Sequence, residues 1–257
     1  MSENATAVWK ERLSVKRQIL TVVVVVLAVL FGYWYQQPSG VKVFTPGPVI
    51  PVISQLDLQE TSPAFDRADL ARWHFLTVVS KELSNGAEFL DGFKSDPADR
   101  LEPSPTPVAT SDSSPEVQMT YSQLTAFLVA GDILYDGELD GTGVELDIHS
   151  SVDGVGGSSA GLIYTLAILD ASTGCDLMGP RMVSGTGTIL RNGNVGLVAG
   201  AKQKAISAVE AGVEIFVVPT ELLPEVQEFS ADMEIHPVNH LYDALEVLDG
   251  NNCFSLR

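Results

Sequence analysis

Basic residues and cysteines are scarce in this chain of 257 residues. Lys and Arg number 15 against 33 Asp and Glu, a net charge of −18. That balance argues against a nucleic-acid partner and against a surface held to anionic lipid. The only two cysteines, Cys175 and Cys253, stand far apart, so they form no metal-ligand motif and no metal is expected. No internal repeat stands out. The stretch GLVAGAKQ, 196–203, imitates a phosphate-binding loop but has Ala201 where that loop needs glycine and Gln203 where it needs Ser or Thr. No cofactor is expected.

What the chain does have is one long apolar run, ILTVVVVVLAVLFGYWY, at 19–35. At about 1.5 Å per residue it reaches roughly 25 Å, enough for a thin or locally adapted bilayer core. Tyr33, Trp34 and Tyr35 give it an interfacial aromatic edge, and Lys10, Arg12, Lys16 and Arg17 precede it. This asymmetry predicts a single-pass cell-membrane protein with a cytoplasmic N-terminus and the remainder outside. No small-x-small site follows, so an uncleaved anchor is favoured over a signal peptide. The four basic and two acidic residues before the span leave 11 basic against 31 acidic residues beyond it, a solubilising outer surface. Out there Cys175 and Cys253 could pair.

The organisation reads as a cytoplasmic N-terminus (1–18), an anchor (19–35), a membrane-proximal region (36–93), a Pro/Ser-rich linker or loop (94–116) and a larger domain (117–257). VKVFTPGPVIPV reads as a short strand broken by Pro46 and Pro48, and RWHFLTVVS, 72–80, as a strand. Residues 119–134 have helical spacing, and GVELDIHS alternates as a strand. Beyond it strand and helix alternate: a buried helix at 159–171, strands at 182–189 and 195–198 around an RNGN turn, and a helix at 200–211 ended by Gly212. VEIFVVP reads as a buried strand, followed by a helix from Thr220, a strand MEIHPV and a last helix HLYDALEVL. The class is α/β or α+β.

DGVGGSSAGLIYTLAI, 153–168, runs three glycines and then two serines into a buried helix. One reading is a loop with a serine N-cap. The other is a nucleophile at a helix start, where glycines admit a substrate backbone and unpaired N–H groups can hold an oxyanion. Ser159 is the better candidate than Ser158, because Ala160 and Gly161 leave it open surroundings. A serine needs a base. His236 and His240 follow in the order of a Ser–His esterase, but the loop-like VDGVG lies between the preceding strand and the GSSAG motif and spoils that elbow. The helix GAKQKAISAVEAG offers Lys202 and Lys204, either of which burial would convert into a base. Its polar arc reads as Gln203, Ser207 and Glu210, and periodicity does not separate the two lysines.

GGSSAGLIYTLAIL, then VSGTGTILRNGNVGLVAGAKQKAISAVEAGVEIFVVP, and the closing strand–helix pair together resemble the proteolytic domain of Lon-type Ser–Lys peptidases. The likeness covers residues 143 to 257 and is nearest to the membrane-anchored Lon-like peptidases of Gram-positive bacteria. It implies Ser159 as nucleophile, Lys204 as base, and Thr186 as the group that contacts the lysine, with Lys202 a bystander. Ser158 stands where the family usually has proline, and the PDZ domain of the anchored relatives reads as absent. The implied fold is a Lon proteolytic domain behind one transmembrane helix and a small membrane-proximal region. The implied activity is ATP-independent cleavage of unfolded or flexible extracytoplasmic protein segments. Backbone N–H groups of Gly157, Ser158 and Ala160 would stabilise the oxyanion, with Asp147 and His149 as tuning groups or simply the polar face of a strand. The expected partners are protein or peptide substrates and, from the resemblance, five further copies in a homohexameric ring. A Ser–His esterase and a catalytically weak peptide-binding scaffold remain the alternatives.

Overall fold

The computed structural model describes residues 2–36, 41–59, 67–83, 85, 88, 100–103, 114–134, 145–148, 155–249 and 253–254. In chain order the elements are α1 (Ser2–Gln36), β1 (Val41–Pro51), β2 (Leu56–Gln59), α2 (Arg67–Arg72), β3 (His74–Glu82) and β4 (Arg100–Pro103). They continue as α3 (Pro115–Leu134), β5 (Glu145–Ile148), α4 (Gly161–Thr173), β6 (Val183–Gly185), β7 (Thr188–Ile189) and β8 (Val195–Gly196). After these come α5 (Ala201–Glu210), β9 (Ile215–Pro219), α6 (Leu223–Val226), β10 (Glu234–Val238) and α7 (Leu241–Leu248).

The chain divides into two compact units. The first comprises Met1–Val43, Lys81–Asp96 and Leu101–Ser104. Its α1 carries the apolar stretch Lys16–Gln36, 21 residues long, enough to cross a membrane or to serve as a signal sequence. Val22, Leu27 and Leu30 along it are exposed.

The second unit is built around β9. Every residue of IFVVP is buried, and β6 and β10 flank it in parallel, Val183 and Glu234 both in register with Ile215. A parallel sheet requires crossovers, and α5 makes the one from β6 to β9. Side chains alternate along the strand. Ile215 and Val217 enter one apolar cluster with α4, Trp73 and Leu245, whereas Phe216 and Val218 enter another with Ala201, Ala205 and Met233. Helices thus cover both faces of the sheet. Helix α4 is buried from Gly161 to Ala171 and stops at Gly174, whose φ of 65° suits a left-handed C-cap. Asp170, buried within it, accepts from Trp73 Nε1 at 2.9 Å and Leu177 N at 2.7 Å. Cys175 and Cys253 form a disulfide.

Several expectations need correction. Strand β1 is continuous: Pro46 and Pro48 are two apart, so their missing amides fall on one side of the strand. The expected strand 182–189 is interrupted at Thr186 and Gly187. Helix α4 begins two residues later than expected, with Ala160 at its N-cap and no side-chain cap, so Ser159 is not a capping residue. On α5, Gln203 and Ser207 are buried rather than solvated, and Ser207 Oγ donates to the Gly47 carbonyl at 3.0 Å. Pro115 and Glu116, placed in the linker, already belong to α3. Arg100–Pro103 of that linker form β4, and its residues 94–99 and 104–113 lie outside the described residues.

Candidate active site

Three elements converge at the end of β6. The strand terminates where Gly185 runs against the β9 backbone: a Cβ there would collide with the Val217 carbonyl. Thr186 N still donates to Val217 O at 2.9 Å, and the chain then leaves the sheet. From one face comes the turn before α4, carrying Ser159; from the other comes α5, carrying Lys204. Ligand sites of parallel sheets form at this edge, beyond the strand C-termini.

Lys204 Nζ lies 2.7 Å from Ser159 Oγ and 2.9 Å from Thr186 Oγ1. Thr186 Oγ1 donates to the Ser159 carbonyl at 3.2 Å, and Gly187 N donates to the same oxygen at 2.9 Å. Lys204 is 1 % exposed, between the buried Ala201 and Ala208, and among the described residues no carboxylate pairs with it. Burial therefore disfavours the ammonium and holds its pKa down to about 7. Lys202, two residues earlier, points outward to Glu228 at 2.7 Å. The structure separates the two lysines where helical spacing did not.

The turn is held on its other side by α3. Gly157 N donates to Pro115 O at 2.7 Å, so this amide is committed and the oxyanion role expected of it is corrected. Gly157 keeps a backbone role, its φ of 97° being one that side chains resist. Ser158 O accepts from Ser122 Oγ at 3.1 Å and from Gly161 N at 3.3 Å. The amides of Ser158, Ser159 and Ala160 have no acceptor among the described residues.

The other expected groups lie elsewhere. His240 caps α7: its Nδ1 accepts from Tyr242 N at 3.2 Å, so its Nε2–H donates to Asn192 O at 2.8 Å. His236 Nε2 lies 2.9 Å from Glu234 Oε1. Among the described residues neither ring hydrogen-bonds to Ser159; the amine beside Ser159 Oγ is that of Lys204. Asp147 sits on β5 opposite Asp57; His149 lies outside the described residues. Sequence reasoning missed Gly187 because it read one strand through that position. It missed Ser122 because a serine in an apolar helix carries no signal of its own.

A serine hydrogen-bonded to a buried amine, beside free backbone amides, defines a hydrolase site of the Ser–Lys type. Residues 132–249, a little under half of the chain, match the model of the Lon protease (S16) C-terminal proteolytic domain, so this part of the chain is similar to that family of serine endopeptidases. Over 114 residues the chain is 34 % identical to a Lon protease of Ureaplasma parvum, a match covering 41 % of this chain and 14 % of that protein. Over 93 residues it is 31 % identical to a Lon protease of Lawsonia intracellularis, covering 35 % of this chain and 11 % of that protein. The chain therefore spans a small part of the length of either relative.

Proposed function

We propose that this chain is a single-pass membrane-anchored serine endopeptidase that needs no ATP and cuts unfolded or flexible segments outside the cytoplasm. The observation that carries the reading is the 2.7 Å contact between Ser159 Oγ and Lys204 Nζ. With its pKa held down to about 7, about half of Lys204 is the free amine at pH 7 and most of it is above that. As Ser159 Oγ bonds to the substrate carbonyl carbon, Lys204 Nζ takes its proton, and the carbonyl oxygen becomes an oxyanion received by the free amides of the turn. Lys204 returns the proton to the amide nitrogen as the C–N bond breaks, leaving an ester on Ser159. Water then attacks the ester, giving a proton to Lys204, which protonates Ser159 as the carboxyl product leaves.

The outward orientation is supported by the basic residues before the span and by the Cys175–Cys253 bridge, a bond favoured in oxidising compartments. The six-membered ring rests on the resemblance, and the mass of the active detergent-solubilised enzyme tests it.

Labelling with a fluorophosphonate tests the catalytic reading. Wild type and Lys202→Ala are expected to react; Ser159→Ala and Lys204→Ala are expected to lose labelling and peptide turnover together. Turnover retained by a folded Lys204→Ala protein would exclude the dyad. A membrane-impermeant fluorophosphonate labelling wild type on intact cells would support the outward topology, and labelling only after lysis would reverse it.

A further inference from the structure

We infer that Ser122 of α3 is a positioning residue: through the Ser158 carbonyl it sets the plane of the 158–159 peptide and so aims the Ser159 amide at the oxyanion. The inference rests on the reading of Ser159 as nucleophile. A serine within a helix commonly donates to the carbonyl four residues back. Thr120, Thr165 and Thr173 of this chain all do so. Ser122, 5 % exposed, donates instead to Ser158 O at 3.1 Å, 36 residues away in sequence.

That bond has a directional consequence. The peptide unit is planar and trans, so its N–H points opposite to its C=O. Holding the Ser158 carbonyl on the α3 side turns the Ser159 N–H away from α3, and that amide is one of the three without an acceptor among the described residues. Ser158 has no ring to fix its own φ, and its carbonyl is held instead by Ser122 Oγ at 3.1 Å and, more weakly, by Gly161 N at 3.3 Å. Space for the contact is kept by Gly161: a Cβ there would stand 2.9 Å from Ser122 Oγ and 2.9 Å from Ile189 N.

The test uses the full chain in detergent, with an unstructured peptide as substrate. Ser122→Ala is expected to lower kcat about tenfold, less than complete loss of an oxyanion donor, and to leave KM within about twofold. The fraction of protein that a fluorophosphonate finally labels should match wild type, while the rate of labelling falls in proportion to kcat. The acid limb of the pH profile should stay in place, since Lys204 is untouched. Ser122→Thr, which restores a hydroxyl, should recover at least half of the lost rate. If Ser122→Ala does not fold, Ser122→Cys, a weaker donor of similar volume, takes its place with the same expectation. A folded variant with the wild-type kcat, or a loss explained wholly by a smaller labelled fraction, overturns the inference. Failure of wild type itself to label instead overturns the reading of Ser159 as nucleophile.

Discussion

Thr186 accepts from Lys204, and the direction of that 2.9 Å hydrogen bond is fixed by a third group. The Ser159 carbonyl can only accept, so the single Thr186 hydroxyl proton is spent on it at 3.2 Å. Lys204 must then supply the proton between itself and Thr186. The lone pair of the neutral amine is left for the Ser159 hydroxyl, which is the arrangement a general base needs.

Lys204 gives two pH dependences of known sign. Burial lowers its pKa from 10.5 to about 7, so the working amine is lost as pH falls through 7. We expect kcat/KM to drop about tenfold per unit well below that point and to level off above it. The unfolded chain keeps this lysine protonated up to about pH 10, whereas the folded chain releases the proton near 7. Stability therefore rises with pH across that window. Lys204→Met should be inactive yet melt above wild type at pH 7, with the gap narrowing toward pH 10. Melting curves showing the variant less stable at pH 7 would contradict an uncompensated buried amine.

Thr186→Val keeps the shape and deletes the hydroxyl. It removes one acceptor from Lys204 and one of two donors from the Ser159 carbonyl. We expect kcat about 10- to 100-fold lower, as for loss of a positioned acid–base partner. The acid limb should move to lower pH, because the ammonium form loses a stabilising acceptor. Thr186→Ser should restore both. Rates measured from pH 5 to 9 decide it, and an unchanged profile with full rate would remove Thr186 from the site.

Sequence reading reached the sheet and the Ser159–Lys204 pair that the structure places in contact by different routes. The run IFVVP announces β9 because a strand covered on both faces has no polar positions. Lys204 was reached through resemblance alone, since its helical neighbours differ little from those of Lys202. What separates the lysines is tertiary: α5 lays Lys204 against the end of β6 and leaves Lys202 to Glu228. The burial of Ser207 was hidden for a similar reason, its partner Gly47 lying 160 residues away. The break at Thr186 and Gly187 was illegible because TGTI reads as a strand. Only the approach of Ser159 gives those two groups an acceptor outside the sheet.

The disulfide should act on stability and leave chemistry alone. It joins the turn after α4 to Cys253, holding Phe254 against the core, while Ser159 precedes the opposite end of the 13-residue helix, about 20 Å away along it. Cys253→Ala is expected to cost about 2–4 kcal/mol and to lower the melting temperature by roughly 5–15 °C. Its kcat at 20 °C should match wild type. A large loss of kcat in the folded variant would show that the bridge also holds the nucleophile turn.

Substrate choice should follow chain accessibility. Ser159 is half-buried at the junction of a turn and helix α4, so a scissile carbonyl must be carried to it on an extended, locally unfolded segment. Folded domains present such segments only at termini, at loops or by local opening. Without ATP-driven unfolding, the cleavage rate of a stable domain is limited by the small fraction of time it spends open. A point mutant destabilised by about 3 kcal/mol raises that fraction roughly 150-fold, and its cleavage should rise by a comparable factor until binding or chemistry becomes limiting. The comparison is the same domain in stable and destabilised forms, each incubated with the purified full chain with and without ATP. We expect the destabilised form to be cut and the stable form to be spared, with ATP changing neither. Equal cleavage of the two forms would point to a recognition device other than accessibility, and strong stimulation by ATP would point to an unfolding motor acting with this chain.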